Sequence, residues 1–231
     1  MQKLEQIQVI AFDADDTLWV NETFFRDAES LFCDLLSGYL PADEAFQILY
    51  ETEMKNLPLY GYGIKPFTLS LIEAAVRISQ GKLPTAMVEQ LLDVGKEMLN
   101  QPVELLPGIE ETLAHLAKDY RLVVATKGDL LDQERKLNKS GLQDYFHHIE
   151  IVSDKTPTHY QKLVNHLDID ADEFLMVGNS PRSDILPVLE IGAHAFLVPF
   201  HTTWVHEIPD EPIVHPNYRA FDSVRDILDF L

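Results

Sequence analysis

Short apolar runs, each ending abruptly in polar residues, alternate over most of the chain with longer stretches in which apolar positions recur at helical spacing. The runs fall at 7–12, 122–125, 174–177 and 195–198, with a weaker one at 149–152. They are continuous rather than alternating, the pattern of strands buried on both faces of a parallel sheet. The helix-period stretches between them lie at 109–118, 130–140, 159–167 and 185–191. This alternation predicts an α/β fold, a doubly wound parallel sheet with a Rossmann-like core. The closing segment, 221–231, reads as a final helix packed on the sheet.

The first and second runs are separated by roughly a hundred residues, where a crossover between parallel strands needs only about a dozen or more. The intervening stretch holds helical patterns at 24–36, 42–55, 67–79 and 85–100, separated by turn-rich segments at 38–41, 61–66 and 81–84. It shows neither strand alternation nor an internal repeat. The pattern predicts a helical cap domain over 19–105, inserted into a core made of 1–18 and 106–231, with Leu106, Pro107 and Gly108 at the point of return.

Composition narrows the classes. With 46% hydrophobic and 24% charged residues, the chain has the balance of a globular protein rather than a disordered one. A formal charge of -20 argues against nucleic acid or an anionic membrane surface as a standing partner. It does not argue against a small anion, provided that a metal or a local group of cations receives it. Cys33 is the only cysteine and lies in an apolar helical run, so no internal disulfide is available and the thiol reads as structural. The first eight residues are polar and nothing has the length of a membrane span, which together point to a cytoplasmic protein.

In a doubly wound sheet, ligands bind beyond the carboxyl ends of the strands, so the polar residues that follow each run belong together. After the first come Asp13, Ala14, Asp15, Asp16 and Thr17. The carboxylates of Asp13 and Asp15, one residue apart, repel unless a cation or a shared proton lies between them. A hard divalent ion meets that need. One aspartate can then attack phosphorus while the other protonates the leaving oxygen and activates water. The same pentapeptide also reads as an acidic turn that caps the next helix through Asp16 or Thr17.

Thr126 ends the second run, where its hydroxyl and the amides of Lys127 and Gly128 can hold phosphate oxygens; it can equally cap a helix. The Lys127 side chain can add charge to the site or face water. Lys155, before a proline-initiated helix, can balance a nucleophilic carboxylate and a phosphate, or be one more surface lysine. In 178–184, Asp184 and the neutral Asn179 offer further oxygen ligands for a metal.

Each later signal is weak alone. An aspartate pair, a hydroxyl, a lysine and a distal acid, in that order at four strand ends, form a specific combination. On these residues the sequence resembles the haloacid dehalogenase-like superfamily, whose four motifs match 13–17, Thr126, Lys155 and 178–184, and whose cap can follow the first motif. The resemblance implies Asp13 as a phosphorylated nucleophile and Asp15 as general acid/base. It also implies magnesium held by Asp13, the Asp15 backbone oxygen and the last motif, and phosphate held by Thr126 and Lys155. Dehalogenases of that superfamily lack the second aspartate, since halide leaves unprotonated, so Asp15 favours phosphate chemistry. The chain departs from the common pattern at Asn179, often an acid, and at Lys127, often a small or amide residue.

The expectation is therefore a magnesium-dependent phosphatase acting on a small phosphorylated metabolite. The variant is transfer of the phosphoryl group to a sugar phosphate instead of water. The reading from a different class is a phosphoacceptor signalling module, which fits badly because such domains carry the acceptor on a middle strand and have no insert after the first. His201, His206 and His215, near Trp204, match no defensible metal spacing. Specificity is expected in cap side chains, with Lys65 as a candidate.

Overall fold

The computed structural model describes residues 4–202, 204–207 and 211–231. The chain divides into two compact units, Met1–Glu22 with Val103–Leu231, and Thr23–Pro102. The division lies four residues later and three residues earlier than the change in sequence pattern, because Trp19 forms isolated bridges with Asp15 and Leu105. The Val20 amide also donates to the Glu104 carbonyl at 2.9 Å, which keeps both flanks with the sheet.

In the first unit six parallel strands are ordered β3-β2-β1-β4-β5-β6. They are β1 (Val9–Phe12), β2 (Arg121–Lys127), β3 (His148–Val152), β4 (Phe174–Gly178), β5 (His194–Leu197) and β6 (Tyr218–Ala220). This is the doubly wound α/β arrangement that the apolar runs predict. Alternate side chains of the buried strands go to opposite faces. Ile10, Phe12, Leu122, Val124, Leu175 and Val177 pack on one face, with Ile109 and Leu113 of α5 (Ile109–Leu116) and Leu137 of α6 (Leu130–Ser140). Val9, Ala11, Val123, Ala125, Phe174 and Met176 pack on the other, with Leu163 of α7 (Pro157–His166) and Val188 of α8 (Leu186–Glu190). A fully buried Phe12 or Ile10 is worth ~1.5–3 kcal/mol of transfer free energy, so the four strands with continuous apolar runs carry the core.

The weaker elements differ from expectation for physical reasons. β3 is a half-buried edge strand, so its faces hold His148 and Glu150 and dilute the apolar signal. β6 has three residues, Tyr-Arg-Ala, and pairs on one side only, too little pattern to read from sequence. The expected helix at 185–191 is split into a π-turn, Pro181–Ile185, and the short α8. The closing helix is a 3-10 helix, Val224–Phe230, entered through a reciprocal cap between Ser223 and Asp226.

In the second unit α1 (which begins at Glu22 and ends at Leu35), α2 (Ala42–Tyr60), α3 (Ile64–Ile78) and α4 (Thr85–Asn100) enclose Phe32, Leu36, Leu49, Phe67, Leu71 and Leu91. α2 runs five residues past its expected end at 55, with Pro58 inside its last turn. Asn56 supports that turn by donating to Ser70 at 3.1 Å and to Glu73 at 3.0 Å on α3. Gly61, at φ 75°, then stops it.

α3 and α4 meet at Gly95, where a Cβ would lie 2.2 Å from Thr68 Oγ1 and 2.9 Å from Thr68 Cγ2. Gly95→Ala gains about 1 kcal/mol of helix propensity but overpacks a contact that costs about 1–3 kcal/mol. The expected outcome is a melting temperature a few degrees below that of the unaltered protein, with Gly38→Ala, whose Cβ meets nothing within 4 Å, as the neutral control. A Gly95→Ala protein that melts at or above the unaltered one would show that the Thr68 contact yields freely.

Candidate active site

The sheet order reverses at β1, whose neighbours are β2 and β4, and the crevice beyond this switch point collects the four motifs. Asp13 follows the last residue of β1 and is pinned by its amide, which donates to the Val177 carbonyl at 2.9 Å. Lys155 follows β3, and its buried ammonium donates to Asp13 Oδ1 and, at 2.6 Å, to Asp184 Oδ1. Thr156 caps α7 directly after it, with Pro157 in the first turn, so the helix start fixes where Lys155 leaves the backbone. Asp184 is fully buried and accepts the Ser180 amide at 2.9 Å through its second oxygen.

Two buried carboxylates therefore share one ammonium. Burial raises the Asp13 pKa most; the Lys155 charge opposes this, the Asp184 charge adds to it, and the carboxyl stands at about 7. Burial works to lower the Lys155 pKa, but Asp13 and Asp184 outweigh it and hold the lysine charged. Thr17 Oγ1 lies 3.4 Å from Asp13 Oδ2 and 3.2 Å from Asn179 Oδ1, which places Asn179 near Asp13. Asp13 and Asp184 meet at Lys155, with Asn179 joined to Asp13 through Thr17; with the Asp15 carbonyl these oxygens would suit a hard divalent cation such as magnesium. It is a lean set. Among the described residues no three His, Cys, Asp or Glu side chains come together as metal ligands.

Asp15 has a separate surrounding. Its carboxylate accepts Trp19 Nε1 at 2.7 Å, Gln133 Nε2 at 2.8 Å and the Lys136 ammonium at 2.6 and 2.8 Å. Burial acts to raise its pKa, but the Lys136 charge and these hydrogen bonds prevail and hold the carboxyl below its usual range. Asp16 does what the capping reading of the pentapeptide proposed: in a left-handed conformation, φ 62°, its side chain accepts the amides of Asn21 and Glu22 at the start of α1.

Thr126 is buried near the carboxyl end of β2, one residue inside the strand rather than beyond it, because pairing with β3 continues through Lys127. For the same reason the Gly128 amide, expected to face phosphate, donates to the Val152 carbonyl at 3.2 Å. The Lys127 ammonium lies against Glu207 and, at 2.7 Å, Ser183. Lys65 lies in the first turn of α3, in the second unit.

Gln133, Lys136 and Glu207 carry no readable signal in the sequence. The first two sit on an ordinary amphipathic helix, and Glu207 sits in an irregular segment. The histidines nearby make separate contacts: His201 stacks on Phe200, His206 on Trp204, and His215 Nδ1 accepts the Asn217 amide at 3.1 Å. Cys33 is buried in the second unit, where its thiol donates to the Ala42 carbonyl at 3.4 Å and burial raises its pKa, as suits a structural thiol. No helix among the described residues is long and apolar enough to cross a membrane.

Comparison with known proteins identifies the family. The family model for haloacid dehalogenase-like hydrolases matches residues 7–192. A solved structure of a haloacid dehalogenase-like family hydrolase from Xanthomonas campestris is 39% identical, with a TM-score of 0.84 over 96% of this chain and 89% of that one. The chain belongs to the haloacid dehalogenase-like hydrolases. Among curated relatives, glyceraldehyde 3-phosphate phosphatase of Pyrococcus abyssi is 28% identical over 80% of this chain and 79% of that enzyme. Human N-acylneuraminate-9-phosphatase is 22% identical over 92% of this chain and 90% of that enzyme.

Gly178, the last residue of β4, is required for space. A Cβ there would lie 2.3 Å from both Cγ and Oδ2 of Asp184, which is held on its far side by Lys155. Gly178→Ala is expected to displace the Asp184 carboxylate by about 1 Å and lower hydrolytic turnover about a hundredfold. Steady-state kinetics beside a crystal structure of the variant checks this, and a variant with unchanged rate would remove Asp184 from the working site.

Proposed function

We propose that this chain is a magnesium-dependent phosphoric monoester hydrolase that acts on a small phosphorylated metabolite through a phosphoaspartate on Asp13. The observation that carries the reading is the junction of Asp13, Lys155 and Asp184 at the sheet's switch point, with a second aspartate, Asp15, two residues along. The phosphatase names of the curated relatives support it. The acidic surface and the absence of any long apolar helix among the described residues suit a cytoplasmic enzyme with a small-molecule partner, and neither nucleic acid nor membrane.

Asp13 attacks phosphorus in line with the ester oxygen, forming an acyl phosphate as the P–O ester bond breaks. Asp15 delivers a proton to the departing alkoxide, then takes one from the water that attacks phosphorus and frees Asp13. The Lys136 contact keeps Asp15 a carboxylate in the resting protein, the form needed for water activation. An arriving phosphate dianion works against that contact and raises the proton affinity of Asp15, which takes up a proton from solvent as substrate binds and so has one to give to the leaving group. Lys155 and the Thr126 hydroxyl hold phosphate oxygens, and Lys155 offsets charge as it builds. Magnesium, held by Asp13, Asp184, Asn179 and the Asp15 carbonyl, would supply charge neutralisation for the phosphoryl group.

A panel of phosphorylated metabolites assayed with magnesium and with chelator tests the proposal, and product analysis separates hydrolysis from transfer to a sugar phosphate. Asp13→Asn is expected to abolish turnover with the melting curve unchanged in shape; activity within about tenfold of the unaltered enzyme would sink the mechanism. Asp15→Asn is expected to cost roughly a hundred- to ten-thousandfold with alkyl phosphates, and less with nitrophenyl phosphate, whose leaving group needs little protonation. An equal loss for both substrates would remove Asp15 from the acid role.

A further inference from the structure

Glu207 belongs to none of the four motifs, yet its carboxylate is buried and touches the last of them and Lys127, the neighbour of Thr126. It sits on a 3-10 turn, Val205–Glu207, between β5 and β6. The Lys127 ammonium donates to Oε1 and the Ser180 hydroxyl to Oε2, while Ser183 Oγ lies 3.1 and 2.9 Å from the two oxygens. A carboxylate removed from water is costly unless it is paired and hydrogen-bonded, and here each oxygen has two partners. Those partners come from two places, the end of β2 and the loop after β4.

The second of these attachments continues toward the reacting groups. Ser180 donates its amide to Asp184 Oδ2 at 2.9 Å and accepts the Asp184 amide through its carbonyl at 2.8 Å. Its hydroxyl also receives the Ser183 amide at 3.0 Å. The Glu207 carboxylate therefore grips the turn that aims Asp184, and through Lys127 it grips the strand end that carries Thr126. The charge of Lys127 is met inside the protein by Glu207.

We propose that Glu207 is a positioning residue of the hydrolytic site, fastening the phosphate side, Thr126 with Lys127, to the metal side, Asn179 with Asp184. It rests on the phosphatase reading above for the roles of the residues that it positions. Glu207 touches neither substrate nor metal. Its effect is to fix the separation of two loops that the sheet alone holds only at their bases, β2 and β4 being separated by β1. Partners behind metal ligands of this kind commonly govern affinity through orientation.

The test uses the full chain with magnesium and compares Glu207→Gln, which keeps shape and removes charge, with Ser183→Ala, which removes one hydroxyl. In Glu207→Gln, amide exchange at Ser180 and Asp184 is expected to accelerate about tenfold while the amides of β1 keep their protection. Magnesium affinity by titration calorimetry is expected to fall about tenfold, in step with the magnesium needed for half-maximal activity. Ser183→Ala is expected to shift the same quantities in the same direction by less, and it carries the test if Glu207→Gln fails to fold. Exchange at both amides and magnesium affinity within about twofold of the unaltered protein in Glu207→Gln, or in Ser183→Ala where Glu207→Gln does not fold, would overturn the proposal. If the unaltered protein hydrolyses no phosphate ester while the amides and magnesium affinity respond as expected, the fastening stands and the phosphatase reading falls.

Discussion

One buried ammonium between two buried carboxylates is the contact on which the rest of the site depends. Lys155 draws Asp13 and Asp184 together from the ends of β1 and β4. Neither carboxylate could remain buried and charged beside the other without it. The arrangement still carries one negative charge too many, and that excess adds to the burial that raises the Asp13 carboxyl most.

The sheet supplies the rigidity that such a balance requires. β1 is buried on both faces and is in register with its neighbours on either side, Phe12 lying opposite Val124 of the strand that carries Thr126 and Val177 of the strand that leads to Asp184. Gly178 lets the Asp184 side chain fold back against the backbone. The two aspartates of the first motif then acquire opposite characters from their surroundings. Burial, with the Asp184 charge added, raises the Asp13 carboxyl against the pull of Lys155, whereas the Lys136 charge and the hydrogen bonds from Lys136, Gln133 and Trp19 outweigh burial and lower that of Asp15.

Much of the core was legible because its strands are buried on both faces and therefore read as unbroken apolar runs. The edge strands β3 and β6 were weak or silent because an edge exposes one side and tolerates Glu150 or Arg219. The capping and catalytic readings of 13–17 competed in the sequence. In the structure the residues part company: Asp16 caps the helix, while Asp13 meets the lysine. That separation depends on a left-handed turn at Asp16, which the residue types permit without requiring.

The sequence alone determined the parallel core, the helical insertion and the order of motif residues at the strand ends, since hydrophobic periodicity and the local chemistry of acids, hydroxyls and lysines are properties of short segments. Tertiary structure alone decided which groups meet. Lys155 reaches Asp13 across 142 positions, Lys136 reaches Asp15 across 121, and Lys127 reaches Glu207 across 80. Such contacts leave no local trace, because a lysine on a helix or at a strand end obeys the same pattern whether it faces water or a buried carboxylate. Burial converts these ordinary residues into a site: it removes the water that would otherwise satisfy each charge and leaves them to satisfy one another.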